Sequence, residues 1–184
     1  MKKTESKKKN HHFEMEFIDI IDKKEKKIAV MEKHFAHKLG KRHYAVHIFV
    51  LNAKNELILQ KRREDRFLQP GSWDTSVGGH VPHGETLLSG AMRECEEELR
   101  VHSPLHFLGK LSVIDKQRNY LNDEVVAYYF TKTKEEPYYQ RAEIAGLKSL
   151  PLKKVSDFIM RNQSSPMLLA GWKKFGKKIM RMVE

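Results

Sequence analysis

Residues 79–101 read GHVPHGETLLSGAMRECEEELRV, and the organisation of the chain follows from this stretch. At about 100° per residue, Leu88, Ala91, Met92, Cys95 and Leu99 fall on one stripe, which predicts a helix over 86–99 with that stripe buried. Glu94 and Glu98, four apart, are neighbours on another face, and Glu97 flanks them. Like charges at that spacing repel, and a hard divalent cation removes the repulsion; Mg²⁺ takes a few carboxylates together with phosphate oxygens. Taken alone, three glutamates on a helix are better read as a solvated acidic face. The context argues otherwise: the helix is reached from a strand through Gly78-Gly79 and a compact loop, and the acidic cluster stands in a chain of net charge +11.

Outward from this stretch, residues 44–51 (YAVHIFVL) are β-branched and aromatic and predict a strand, with 56–61 (ELILQK) its partner across the turn 52–55. Residues 16–22 and 27–31 are apolar stretches around the polar turn DKKEK and predict a hairpin; 32–41 is polar and carries His34 and His37. Residues 73–77 lead as a strand into Gly78-Gly79. Strands are also predicted over 105–115 and 124–131, and helices over 150–161 and 167–182, with Pro151 suited to a first turn. No internal repeat or dividing linker is present, so residues 13–184 read as one domain after a lysine-rich, disordered tail at 1–12.

The chain has 184 residues, 40% hydrophobic and 32% charged, enough for one domain with its own core. It contains no apolar run of membrane-spanning length and no signal-peptide pattern, and its one cysteine, Cys95, excludes an intramolecular disulfide; a cytoplasmic protein is expected. The basic excess sits largely in the first segment and the last helix, which read as a solvated tail and a solvated helix face. It favours anionic ligands without naming one.

The stretch resembles the Nudix box, G-x5-E-x7-R-E-U-x-E-E-x-G-U with U a bulky apolar residue. Gly79, Glu85, Arg93, Glu94, Cys95, Glu97, Glu98 and Val101 stand at the required spacings. The resemblance implies a Nudix α/β/α sandwich with a mixed β-sheet. It also implies a Mg²⁺-dependent (or Mn²⁺-dependent) pyrophosphohydrolase that cleaves a diphosphate linkage in a nucleoside diphosphate derivative or related organic diphosphate. Glu94, Glu97 and Glu98 would be metal ligands, Glu94 also a candidate base, and the Gly79 carbonyl would complete the shell. Arg93 and Glu85 would form an orienting pair, although Glu85 reads equally as a helix N-terminal acid. One position departs: Arg100 stands where the family has a glycine that suits a left-handed helix end. Arg100 is therefore expected to weaken helix termination, and its replacement by glycine to be stabilising or neutral.

Over roughly residues 17–130 the chain resembles the branch containing isopentenyl-diphosphate isomerases and their hydrolase relatives, in RHYAVHIFVLNAKNELILQKR, FLQPGSWDTSVGGH and NDEVVAYYF. The protonating cysteine of the isomerases falls on Gly78, which has no side chain, and the box keeps all three glutamates. Both features point to hydrolysis. His43 and His80 match isomerase metal positions, Glu124 matches one of two strand carboxylates, Asn122 falls on the other, and His37 lies one residue out of step. His43 reads first as a hydrogen-bonded residue at a strand start, whereas Glu124 is expected as an additional ligand or base. Lys61, Arg62, Arg63 and Arg66 are candidates for phosphate recognition, and Phe67, Trp73 and Tyr128 for stacking, with charged-loop and core roles as the alternatives. The expected partner is a small-molecule diphosphate, an RNA 5′ end being a variant of the same chemistry, and a homodimer is expected by family habit. The rival readings are an isopentenyl-diphosphate isomerase-like enzyme and a non-catalytic nucleotide- or RNA-binding module.

Overall fold

The apolar run His43–Leu51 forms the central strand of the sheet. Val46, Ile48 and Val50 face one side and Ala45, Phe49 and Leu51 the other, and from Ala45 onward these side chains are buried. A strand covered on both faces needs apolar residues at successive positions, which is why this run is nearly continuous rather than alternating. The computed structural model describes residues 15–117 and 120–183; the tail predicted over 1–12 lies outside them.

In chain order the elements are β1 (Phe17–Ile21), β2 (Lys27–Glu32), α1 (Lys33–Lys38), β3 (His43–Leu51), β4 (Glu56–Arg62), β5 (Trp73–Asp74), β6 (Val77–His80), α2 (Leu87–Glu94), β7 (His106–Lys116), β8 (Leu121–Lys132), β9 (Ile144–Pro151), α3 (Leu152–Arg161) and α4 (Pro166–Val183). A π-helical turn, Cys95–Leu99, continues α2. β3 runs parallel to β8 along its whole length and antiparallel to β6 at Ala45–Ile48, so the sheet is mixed. β4 carries β9 and β5, and β1–β2 is the expected hairpin. Ala91, Cys95 and Leu99 of the α2 segment cover one face of the sheet. Val155 and Ile159 of α3, with Leu168, Trp172, Phe175 and Ile179 of α4, cover the other, which gives the expected α/β/α layering.

Several expectations are corrected. Leu88 and Met92 are about half exposed; the buried line is Ala91, Cys95, Glu98 and Leu99, with Leu87 packed against it. Glu98 is drawn inward by hydrogen bonds from Gly78 N and Gln60 Nε2, and that polar pull sets the rotation of the helix. The helix predicted over 86–99 begins after Thr86, whose side chain caps Ser89 N while Ser89 Oγ accepts from Thr86 N, and its last turn is π rather than α. The strand predicted over 73–77 is two short strands, β5 and β6, and Gly78-Gly79 lie within β6 rather than after it. The helix predicted over 150–161 starts at Leu152: Leu150 and Pro151 end β9, a strand without clean alternation that the sequence reading missed together with α1.

Arg100 occupies the left-handed region, φ 54° and ψ 38°, and its N–H closes the helix on Glu96 O at 3.1 Å. Arginine therefore does not prevent termination, and its guanidinium lies 4.1 Å from the centre of the Tyr138 ring. Relief of left-handed strain is worth about 1 kcal/mol. Loss of an exposed cation–π contact costs about 0.5–1 kcal/mol. Arg100→Gly should therefore leave the melting temperature nearly unchanged, whereas Arg100→Val should lower it clearly in a thermal melt.

Candidate active site

β6 and α2 build one wall of a cleft of about 500 Å³. Gly79 lies so close to Glu94 that a Cβ on it would collide with the carboxylate, so glycine is what lets backbone and carboxylate converge. Arg93 gathers the acids around this point. Its Nε donates to Glu85 Oε1 at 3.0 Å, Nη1 to Glu94 Oε1 at 2.9 Å and Glu97 Oε2 at 3.0 Å, and Nη2 to the His80 carbonyl at 3.1 Å. Glu98 lies deeper, accepting from Gln60 Nε2 at 3.1 Å and Gly78 N at 3.2 Å. Burial pushes the Glu94 carboxyl up to about 7 against the pull of Arg93, and burial together with the charge of Glu94 raises Glu98 well above the usual range. Such an array is costly to ionise until a cation arrives.

The facing wall comes from α1, β3, β6 and β8. The β3–β8 register sets His43 beside Glu124, and the β3–β6 register sets Ala45 beside His80. His37 reaches in from α1, with Nε2 2.9 Å from His80 Nε2. Ligand atoms of His37, His43 and His80 all lie within 4.8 Å of one another. Glu124 Oε1 is 3.4 Å from His80 Nε2 and 3.6 Å from His43 Nε2, and Glu124 Oε2 and His43 Nε2 are buried without a hydrogen-bond partner. His43 Nδ1 faces the Lys41 carbonyl at 2.7 Å, which assigns the proton to Nδ1 and leaves the Nε2 lone pair pointing into the cluster. The expected strand-start hydrogen bond of His43 and a ligand role are thus compatible. Burial, reinforced by His80 and His43, pushes the His37 pKa down to about 3. Burial alone would raise the Glu124 pKa, but the two imidazoles hold it well below the carboxylate range. Three converging imidazoles and one carboxylate, with Glu124 Oε2 and His43 Nε2 unpartnered, fit a borderline divalent metal such as Zn²⁺ better than Mg²⁺.

Of the four cations expected to recognise phosphate, Arg62 and Arg66 line the cleft. Lys61 lies 5.5 Å from the centre of the Trp73 ring, and Arg63 makes a two-pronged exposed pair with Asp65. Of the three aromatic candidates, Trp73 packs on Phe158 and Tyr128 is fully buried in the core, whereas Phe67 is 56% exposed on the cleft rim.

Sequence reasoning missed two polar contributors. Gln60 is buried on β4 and holds Glu98. His47 is buried on β3, with Nδ1 2.6 Å from Thr75 Oγ1 and 3.7 Å from Asp74 Oδ1. Thr75 Oγ1 donates to Val77 O, so His47 Nδ1–H is the donor in that contact and Nε2 carries the lone pair. Burial lowers the His47 pKa and keeps the ring neutral. Gln and His inside apolar-reading strands, at Gln60 and His47, were the available signal.

The chain belongs to the NUDIX domain family, whose profile matches residues 41–170. It is 29% identical over 158 residues to Nudix hydrolase 3 of Arabidopsis thaliana, covering 79% of this chain but only 20% of that protein. It is 25% identical over 156 residues to the isopentenyl-diphosphate Delta-isomerase of Pectobacterium atrosepticum, covering 84% and 86% of the two chains. Among solved structures, a Deinococcus radiodurans protein superposes with a TM-score of 0.68 at 19% identity, covering 92% of this chain and all of that one. The NUDIX domain of Shewanella oneidensis NrtR, complexed with ADP ribose, gives 0.58 at 17% identity over 74% and 87% of the chains. Both structural likenesses concern the fold. Among the described residues no helix is long and apolar enough to cross a membrane.

A Cβ on Gly78 would meet the His47 ring at 2.5 Å. Gly78→Ala should therefore cost about 1–3 kcal/mol by overpacking. In the His47→Ala background the same substitution should cost much less, and a double-mutant cycle by denaturant unfolding measures that coupling.

Proposed function

We propose that the protein is a divalent-cation-dependent pyrophosphohydrolase that cleaves the diphosphate linkage of a nucleoside diphosphate derivative or a related organic diphosphate. The observation that carries this reading is the convergence of Gly79 and the Glu94 and Glu97 carboxylates under Arg93 at one end of the cleft, with Glu98 behind them. Glu94, Glu97, Glu98 and the Gly79 carbonyl would hold Mg²⁺ or Mn²⁺, since an all-oxygen donor set suits those ions. Glu124 is an additional ligand or base from the facing wall. A cation bound here supplies neutralisation of the diphosphate and acidity to a water.

The chain's own residues do the rest. Arg93 and Glu85 orient the box carboxylates, and Arg62 and Arg66, which line the cleft, would recognise phosphate oxygens. Glu94, with its pKa near 7, suits a base that takes a proton from the attacking water. The water oxygen bonds to one phosphorus, the bridging P–O bond breaks, and the second phosphate leaves.

A second reading, isopentenyl-diphosphate isomerisation, is favoured by the cluster of His37, His43, His80 and Glu124. Against it, Gly78 offers no proton-carrying side chain, and the His47 ring fills the space one would take. Hydrolysis in Mg²⁺ of nucleotide sugars, dinucleoside polyphosphates and nucleoside di- and triphosphates, read as the nucleoside monophosphate formed, should occur with the wild type and fall at least about a hundredfold in Glu98→Gln. Conversion of isopentenyl diphosphate to its allylic isomer, without phosphate release, would instead support the second reading. Binding without turnover would support a non-catalytic module.

Glu98→Gln also tests the electrostatics. A carboxyl raised in the folded state stabilises fully below its unfolded pKa of 4.5 and loses that contribution as pH rises through the folded value. Glutamine keeps the shape and cannot ionise. Without metal, the mutant should therefore melt above the wild type at pH 8, and the gap should close as pH falls to about 4.5. A constant gap would show that Glu98 is ionised without a cation.

A further inference from the structure

The outer faces of α3 and α4 carry a feature that the cleft does not use. Both helices cover the same face of the sheet, and Trp172 Nε1 of α4 donates to Ser156 Oγ of α3 at 3.0 Å. The core consumes the apolar side of α4, burying Leu168, Trp172, Phe175 and Ile179. What is left outward is basic: Lys173, Lys174, Lys177, Lys178 and Arg181 are all exposed. α3 adds exposed Lys153, Lys154 and Arg161, and Asp157 is the one exposed acid among the described residues of the two helices. Elsewhere cations are neutralised in place, as in Lys27–Asp19, Arg42–Asp123, Arg66–Glu143 and Arg93–Glu85. Among the described residues none of these eight helix cations pairs with a carboxylate.

Solvation alone does not call for this arrangement. A helix that only faces water usually sets opposite charges four residues apart. Here Lys173–Lys177–Arg181 and Lys174–Lys178 are rows of like charge at that spacing, and each step repels. The helix macrodipole favours Arg181 in the last turn of α4, but it opposes Lys153 and Lys154 in the first turn of α3. An anionic partner that covers the face relieves both penalties.

We propose that the outer face of α3 and α4 is a docking surface for the phosphate backbone of a nucleic-acid duplex. The cations run in rows along an 18-residue helix, which suits an extended polyanion. A bilayer surface fits less well. A helix that lies at the headgroups buries an apolar side there, and the core has already taken that side of α4. A single strand also fits less well, because its bases stack on rings. The exposed large apolar side chains of these two helices are Met160, Leu169 and Met182, with no ring among them. The proposal stands apart from the diphosphate reading of the cleft.

The test is equilibrium binding of the full chain to a short fluorescent duplex of mixed sequence, read by anisotropy across a KCl series in EDTA. Vesicles of phosphatidylserine and phosphatidylcholine serve as the alternative surface. The wild type should bind the duplex with an affinity that falls steeply with salt. The triple variant Lys173→Gln, Lys177→Gln, Arg181→Gln should bind at least about tenfold more weakly, with a log–log salt slope shallower by about 2–3. It should melt no lower than the wild type, because it removes repulsion, so lost binding is not lost folding. Lys7→Gln, Lys8→Gln, Lys9→Gln removes the same charge from the tail and should weaken binding by less than about threefold. An equal loss in the tail variant, no duplex binding by the wild type at low salt, or binding to the vesicles and not to the duplex would each overturn the proposal.

Discussion

One guanidinium organises the site. Arg93 donates to three carboxylates and a backbone carbonyl, and so ties the helix carrying Glu94 and Glu97 to the loop carrying Glu85 and to the end of β6. Without it, Glu94, Glu97 and Glu98 would repel one another on a short helix beside a largely buried cleft floor. Burial works against the charge on Arg93 itself, yet the surrounding acids hold its pKa above the ordinary arginine value. The pairing holds the carboxylates together, so little would have to be reordered for a cation to bind among them.

The second constraint is the absence of side chains at Gly78 and Gly79. One bare position admits Glu94 and the other admits His47, from opposite faces of the same short strand. The two walls of the cleft therefore differ in chemistry. The α2 wall offers oxygen donors, whereas the β3–β8 wall offers three imidazoles and Glu124 with unsatisfied buried atoms. A hard cation suits the first and a borderline one the second, and β6 joins the two sets, carrying Gly79 of one and His80 of the other.

Much of this was legible in the sequence, for identifiable reasons. The spacing from Gly79 to Val101 encodes a strand, a turn and a helix whose glutamates share one region. The run 43–51 is apolar because β3 is covered on both faces. What escaped depends on contacts between distant residues. β9 is hidden because its burial does not alternate. The orientation of α2 was misjudged because Glu98 is drawn in by Gln60, 38 residues away. Arg100 could not be weighed without seeing Tyr138, and the choice among Phe67, Trp73 and Tyr128 is a matter of which ring the core consumes. His37, one residue out of register in the pattern, is brought to His80 by the short helix α1, which the sequence did not announce.

The most direct measurement is a crystal of the protein soaked in Mn²⁺, with the metal located by its anomalous signal. The account predicts a peak about 2.0–2.3 Å from carboxylate oxygens of the box glutamates and from the Gly79 carbonyl. A peak confined to His37, His43 and His80, with none at the box glutamates, would contradict it.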